Sequence, residues 1–212
     1  MRNRLGLIYS KLHSHFGPQH WWPAESPFEV MVGAILTQNT SWQNVEKAIA
    51  NLKKHQVLNP RKIYNLPQAK LARLIRSTGY YNLKARRLKE FLKFFINEYA
   101  ASVKKISQAK SGSLRKELLM VKGIGPETAD SILLYALNKP VFVIDAYTKR
   151  IFSRHKLLPP DCAYPQAQGL FMSGLKKDAR LFNEYHALLV ALAKAYCRKS
   201  KPKCSVCPLD FL

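Results

Sequence analysis

Between Leu118 and Asp145 the chain reads LLMVKGIGPETADSILLYALNKPVFVID, and this stretch constrains the rest. Its centre, Val121-Lys122-Gly123-Ile124-Gly125, is entered from an apolar helix and left through Pro126. Two glycines one residue apart can take backbone angles closed to other residues, and they let another molecule approach the main chain. Pro126 suits the first position of a new helix, where its missing N–H costs nothing. Amides at such a turn and helix start converge on an anion, so a phosphate is the natural guest. A ligand-free helix–helix turn would explain the same residues. Charge decides between the two: 35 Lys and Arg stand against 13 Asp and Glu, a net +22. That excess asks for a polyanionic partner, either nucleic acid or an acidic membrane surface.

With 212 residues and 47% hydrophobic content, the chain can bury a real core as one large domain or two small ones. No apolar run approaches the ~20 residues needed to span a bilayer. The opening MRNRLGLIYSKLHSHF is charged throughout and has no secretory core, so a cytoplasmic, nucleoid-associated protein is expected. Three of the four cysteines follow one another as Cys197-x6-Cys204-x2-Cys207, just after a helix and among lysines. That spacing suits a metal or cluster better than a disulfide scaffold.

The coarse pattern is all-α, roughly ten helices with short loops. Leu5, Ile8, Tyr9 and Leu12 mark one face of a helix over 3–16, ended by Gly17-Pro18. The irregular loop Gln19–Pro23 sets Trp21 beside Trp22, read either as the edge of a core or as an aromatic wall for a flat, preferably cationic guest. Pro27 opens a helix apolar nearly all round, which ends in Thr37-Gln38-Asn39-Thr40. Thr40 or Ser41 is expected to cap the next helix, on which Trp42 is read as a third pocket aromatic or a core residue. After the turn Gly79–Asn82, Lys84, Arg86, Arg87, Lys89 and Lys93 read as the solvated face of a long helix reaching about Tyr99. Ser107–Ser113 reads as a polar linker. Val141–Ile144 reads as extended chain leading to Asp145, which caps a helix over 146–155.

Val121–Ala129, followed by Val143-Ile144-Asp145 with Asp145 twenty residues after Gly125, resembles the helix-hairpin-helix DNA glycosylase superfamily of endonuclease III. The resemblance extends to Phe28–Thr40, Gly79–Ala85 and the cysteine run, and so covers most of the chain. It implies a two-lobed fold with a DNA cleft between a central helical domain, 28–139, and a domain formed by 1–27 and 140–212. It also implies a monomer acting on double-stranded DNA. Lys122, Gly123, Ile124, Gly125 and Thr128 would hold the DNA, with Gln38 filling the gap left by a flipped nucleotide and Tyr80 as a second wedge. Asp145 matches the family's catalytic carboxylate. The family pattern C-x6-C-x2-C-x5-C around a [4Fe-4S] cluster is met by Cys197, Cys204 and Cys207; the fourth cysteine would be residue 213, one beyond Leu212.

A base inside a duplex must be extruded before it can be cut out. Hydrolysis of its N-glycosidic bond passes through a sugar with oxocarbenium character, which an ionised carboxylate stabilises while it orients or deprotonates water. Family members that also nick the strand carry a Lys directly before the Thr-Ala of the hairpin helix, and this chain has Glu127 there. A carboxylate cannot form a Schiff base, so a monofunctional glycosylase without lyase activity by that route is expected. His20-Trp21-Trp22-Pro23, Leu36–Thr40 and Lys122–Glu127 resemble the 3-methyladenine DNA glycosylase III branch. This suggests an alkylated purine, in a pocket of Trp21, Trp22, Pro23, Trp42 and Glu127. The alternatives are a glycosylase for oxidised pyrimidines or mismatches, and a non-catalytic DNA-binding protein. His20 and His186 have no partner legible from spacing.

Overall fold

The computed structural model describes residues 2–22 and 24–210, with the Arg2 side chain left aside. In chain order the helices are α1 (Arg2–Phe16), α2 (Pro27–Leu36), α3 (Trp42–Lys54), α4 (Pro60–Asn65), α5 (Gln68–Leu74) and α6 (Tyr81–Tyr99). They continue as α7 (Val103–Gln108), α8 (Ser111–Met120), α9 (Pro126–Ser131), α10 (Ala146–Arg154), α11 (Tyr164–Gly174) and α12 (Ala179–Ala195). The described residues contain no strand. The fold is all-α. The chain divides into two compact units, Ala24–Leu137 on the one hand and Met1–Pro23 with Asn138–Leu212 on the other.

The Ala24–Leu137 unit is built around α2. Ser26 caps it by accepting the Glu29 amide at 3.2 Å, and Pro27 takes the first position. Every residue from Phe28 to Leu36 is buried. Met31, Val32, Ile35 and Leu36 are fully shielded, each stabilising the unit by about 1.5–3 kcal/mol. Around α2 pack α3, α6, α9 and the π-helical stretch Ile132–Ala136 that prolongs α9. The capping expected of Thr40 or Ser41 takes another form. Ser41 occupies the N-cap position of α3 without a side-chain bond, while the Thr40 hydroxyl accepts from Asn44 Nδ2 at 3.1 Å.

Two expectations are overturned in this unit. The supposed linker Ser107–Ser113 is mostly helix, with only Ala109 and Lys110 between α7 and α8. Ser102 caps α7 by accepting the Lys105 amide at 3.3 Å, and Ile106 and Leu114 anchor the two helices in the core. Lys84, assigned to a solvated face, is only 1% exposed. Its ammonium donates to Leu36 O at 2.8 Å and Thr78 O at 2.6 Å, satisfying carbonyls at the ends of α2 and of the 3-10 turn Arg76–Thr78.

In the other unit α12 packs on α1 and α10. Leu5, Ile8 and Leu12 of α1 are buried, and the Tyr185 hydroxyl donates to Leu5 O at 2.9 Å. Phe142 stacks on Phe171 with ring centroids 3.9 Å apart, with Phe182 and Tyr185 edge-on. Val141–Ile144 is extended, buried chain that carries Asp145 out of this aromatic core.

Candidate functional site

In the Ala24–Leu137 unit the turn between α8 and α9 is the hairpin. Ile124 N donates to Val121 O at 3.0 Å, and the Ile124 side chain is buried as the anchor of the turn. Only one of the two glycines uses the left-handed region. Gly123 has φ +92°, whereas Gly125 is extended at φ −93° and precedes Pro126 as the N-cap of α9. Gly123 also has no room for a side chain, because a Cβ there would overlap the methylenes of Arg87. Lys122 stands exposed at the tip.

Gln38 belongs to the same network. Its Nε2 donates to Gly123 O at 3.1 Å and to the buried Thr128 hydroxyl at 2.9 Å, while its Oε1 accepts from Arg87 Nη1 at 2.6 Å. The Gln38 amide is thus fastened through its nitrogen to the hairpin and its following helix, and through its oxygen to Arg87 of α6. Sequence reasoning missed Arg87; its only signal was membership of a basic helix face. Tyr80, just before α6, is 68% exposed and held at φ 44°. A left-handed tyrosine costs roughly 1–3 kcal/mol. Burial, and behind it the Arg87 charge, pulls the Lys84 pKa down to about 8. Trp42 lies on α3 with its indole N–H donating to Glu46 Oε1 at 2.7 Å, and Glu127 is exposed in the first turn of α9.

Asp145 belongs to the other unit. Its Oδ1 accepts the Thr148 amide at 2.7 Å, fixing the carboxylate as the cap of α10. Its Oδ2 lies 3.6 Å from Nε2 of His186, a buried residue of α12. That distance is too long for a hydrogen bond but short for electrostatics. Burial pushes the His186 pKa below its ordinary value, while the Asp145 charge acts the other way. The Trp21 ring lies 6.4 Å from the His186 ring and 6.5 Å from Trp22, edge-on to both. Lys194 Nζ stands 5.9 Å from the Trp21 ring centre, and the Trp21 N–H is buried without an acceptor among the described residues. His20 and Trp22 take positive φ, 47° and 67°, so the loop is sharply folded. Pro23 lies outside the described residues. Asp145, His186, Trp21 and Trp22 therefore come together in one unit, and Gln38, Arg87, Gly123 and Thr128 in the other. Nothing in the spacing of His186, 41 positions after Asp145, marked it.

Cys197, Cys204 and Cys207 line one pocket of about 420 Å³. Burial pushes the Cys207 thiol up, the Leu209 amide opposes this, and Cys197, Cys204 and Asp210 reinforce it. Arg154 Nη1 donates to Cys197 Sγ at 3.3 Å and to Arg198 O at 2.6 Å, tying α10 to the cysteine loop. Three thiols face one space, but they fall one short of a cubane cluster's four ligands. Among the described residues no group of three or more His, Cys, Asp or Glu is arranged to hold a metal ion.

Residues 32–177 match the HhH-GPD superfamily of base excision DNA repair proteins. The DNA repair glycosylase candidate MJ1434 of Methanocaldococcus jannaschii is 50% identical over 203 residues, 95% of this chain and 92% of that protein. The crystal structure of the H. pylori 3-methyladenine DNA glycosylase MagIII bound to 1,N6-ethenoadenine has TM-score 0.78 and 31% identity, covering 91% of this chain and 96% of the other. A trapped endonuclease III–DNA covalent intermediate has TM-score 0.86 at 21% identity, covering 100% and 95%, a likeness of fold. The chain belongs to the HhH-GPD superfamily and is a DNA repair glycosylase.

Proposed function

We propose that this glycosylase is monofunctional and removes an alkylated purine such as 3-methyladenine from double-stranded DNA, leaving an abasic site. The observation that carries the reading is the pairing of Asp145 with an aromatic wall in one unit, Trp21 and Trp22 beside a buried imidazole. The nucleotide of 3-methyladenine is cationic, stacks on indole, and releases its base without strong acid help. The 31% identity to a 3-methyladenine glycosylase bound to an ethenoadenine supports the same class.

In this mechanism the hairpin amides and Lys122 hold backbone phosphate while Gln38 leaves its partners to fill the gap and Tyr80 wedges beside it. The N-glycosidic electron pair departs with the base. Asp145 stabilises the cationic sugar and takes a proton from the water whose oxygen attacks C1′. Glu127, where a nucleophilic Lys would stand, cannot form an imine with the sugar. Cys197, Cys204 and Cys207 supply three of the four thiolates of the family's [4Fe-4S] pattern; a cluster held there would stiffen the loop that carries Arg198, Lys199, Lys201 and Lys203. Iron and sulfide assay of the purified protein tests this. The enzyme is read as a monomer at the nucleoid; no described helix is long and apolar enough to cross a membrane.

The test is base release from methylated duplex, with the strand checked before and after alkali. Free 3-methyladenine with breaks only after alkali establishes the reading. Release from thymine-glycol or mismatched duplex instead would move the substrate class, and breaks before alkali would overturn monofunctionality.

A further inference from the structure

Beside the hairpin, within the Ala24–Leu137 unit, a groove of about 850 Å³ runs along α6 and reaches Lys122 and Gly123. Five cations line it, Arg86, Arg87, Lys89, Lys93 and Lys122, against one carboxylate, Glu90. Two of the five have work inside the fold. Arg87 donates to Gln38, and Lys89 donates to Tyr64 O at 2.9 Å and Leu66 O at 2.5 Å. Arg86, Lys93 and Lys122 are exposed and form no ion pair with a described residue.

Arg86, Glu90 and Lys93 keep the four- and three-residue spacing of an ordinary helix face. Here the cations gather around a concave surface that continues from the hairpin tip. Arg86 and Lys93 stand seven residues apart, two helical turns and hence on one face, about 10 Å along the axis. A DNA strand rises about 3.4 Å per phosphate along the duplex axis, so two cations that far apart can meet different phosphates of one backbone. Arg86, Glu90, Lys93 and Lys122 are all exposed, which suits a continuous backbone better than an enclosed small molecule.

We propose that this groove is a second backbone track, in which Arg86 and Lys93 hold phosphates of the duplex flanking the lesion, beyond those held by the hairpin. The proposal rests on the reading of the hairpin as the phosphate clamp, and it extends the footprint of the enzyme to one side of the damaged base.

The experiment measures duplex affinity against salt for the full chain on two lengths. One duplex ends a few base pairs either side of the lesion, and the other runs a further helical turn each way. Each lost phosphate contact lowers the log–log salt slope by about 0.9. The double variant Arg86→Gln with Lys93→Gln should therefore lose about two units of slope on the long duplex and none on the short one. Glu90→Gln should bind the long duplex more tightly, an outcome that misfolding cannot mimic. An unchanged slope on the long duplex overturns the proposal, and so do equal losses on both lengths. Inorganic phosphate that abolishes the long-duplex advantage at matched ionic strength would also overturn it, as a small-anion site. Gly123→Ala is the separate check on the clamp: it should weaken both lengths. If it weakens neither, the clamp reading fails, while the double variant still decides the groove.

Discussion

The two candidate sites are held together in opposite ways. Around the hairpin, the Gln38 amide meets three partners between 2.6 and 3.1 Å, two of them on the hairpin and its following helix. Around Asp145, one oxygen accepts a single backbone amide and the other faces an imidazole 3.6 Å away. That imidazole in turn lies beside the Trp21 indole and the Phe142 phenyl ring. On the proposed function, the paired polar groups of the hairpin would exchange their partners for DNA phosphate, and the sparsely bonded Asp145 carboxylate would keep its charge for a cationic sugar.

The largest break in that comparison is Asp145→Asn. Asn also caps helices, so the fold should survive while base release falls by about 10²–10⁴-fold. Duplex affinity measured in parallel should hold; unchanged release would remove Asp145 from the chemistry. Next is Gly123→Ala, which forces a side chain into a left-handed position at roughly 1–2 kcal/mol and into the Arg87 methylenes. Because about 1.4 kcal/mol is a factor of ten, a binding isotherm should show about a tenfold weaker duplex complex. Normal affinity would mean that the hairpin geometry does not matter for grip.

Trp21→Ala should act on release of an alkylated base more than on affinity for undamaged duplex, with stacking worth about 1–3 kcal/mol per base. Equal losses in the two assays would make the indole a core residue. The smallest effect is on pH. Burial lowers the His186 pKa, so the unfolded chain binds that proton more readily than the folded one. The corresponding stability is present above about pH 6.5, the ordinary histidine value, and is lost as pH falls below it. Melting temperature should decline on that acid side, and His186→Gln should flatten the decline. A profile identical in the two proteins would show that the histidine is not held neutral.

Much of the fold was legible because it is local. The 3.6-residue spacing of Leu5, Ile8 and Leu12, Pro at the start of α2 and α9, and Asp145 ahead of α10 are signals carried by neighbours in sequence. Lys84 was misread for the same reason. Its place on a basic helix face says solvent, and only the carbonyls of Leu36 and Thr78 arriving from elsewhere make burial tolerable. Ser107–Ser113 looked structureless because α7 is too short to show a period, and its stability comes from the core contacts of Ile106.

The amino-acid sequence by itself determined the helical class, the hairpin with its glycine and proline, the polyanionic partner and the superfamily, since each rests on residue type and short spacing. The tertiary structure alone decided that Arg87 and Gln38 lock onto Gly123, that His186 stands beside Asp145, and that the α6 cations border one groove. The first two relations join residues 36 to 85 positions apart, and only the packing of helices brings such groups within reach of a charge or a hydrogen bond.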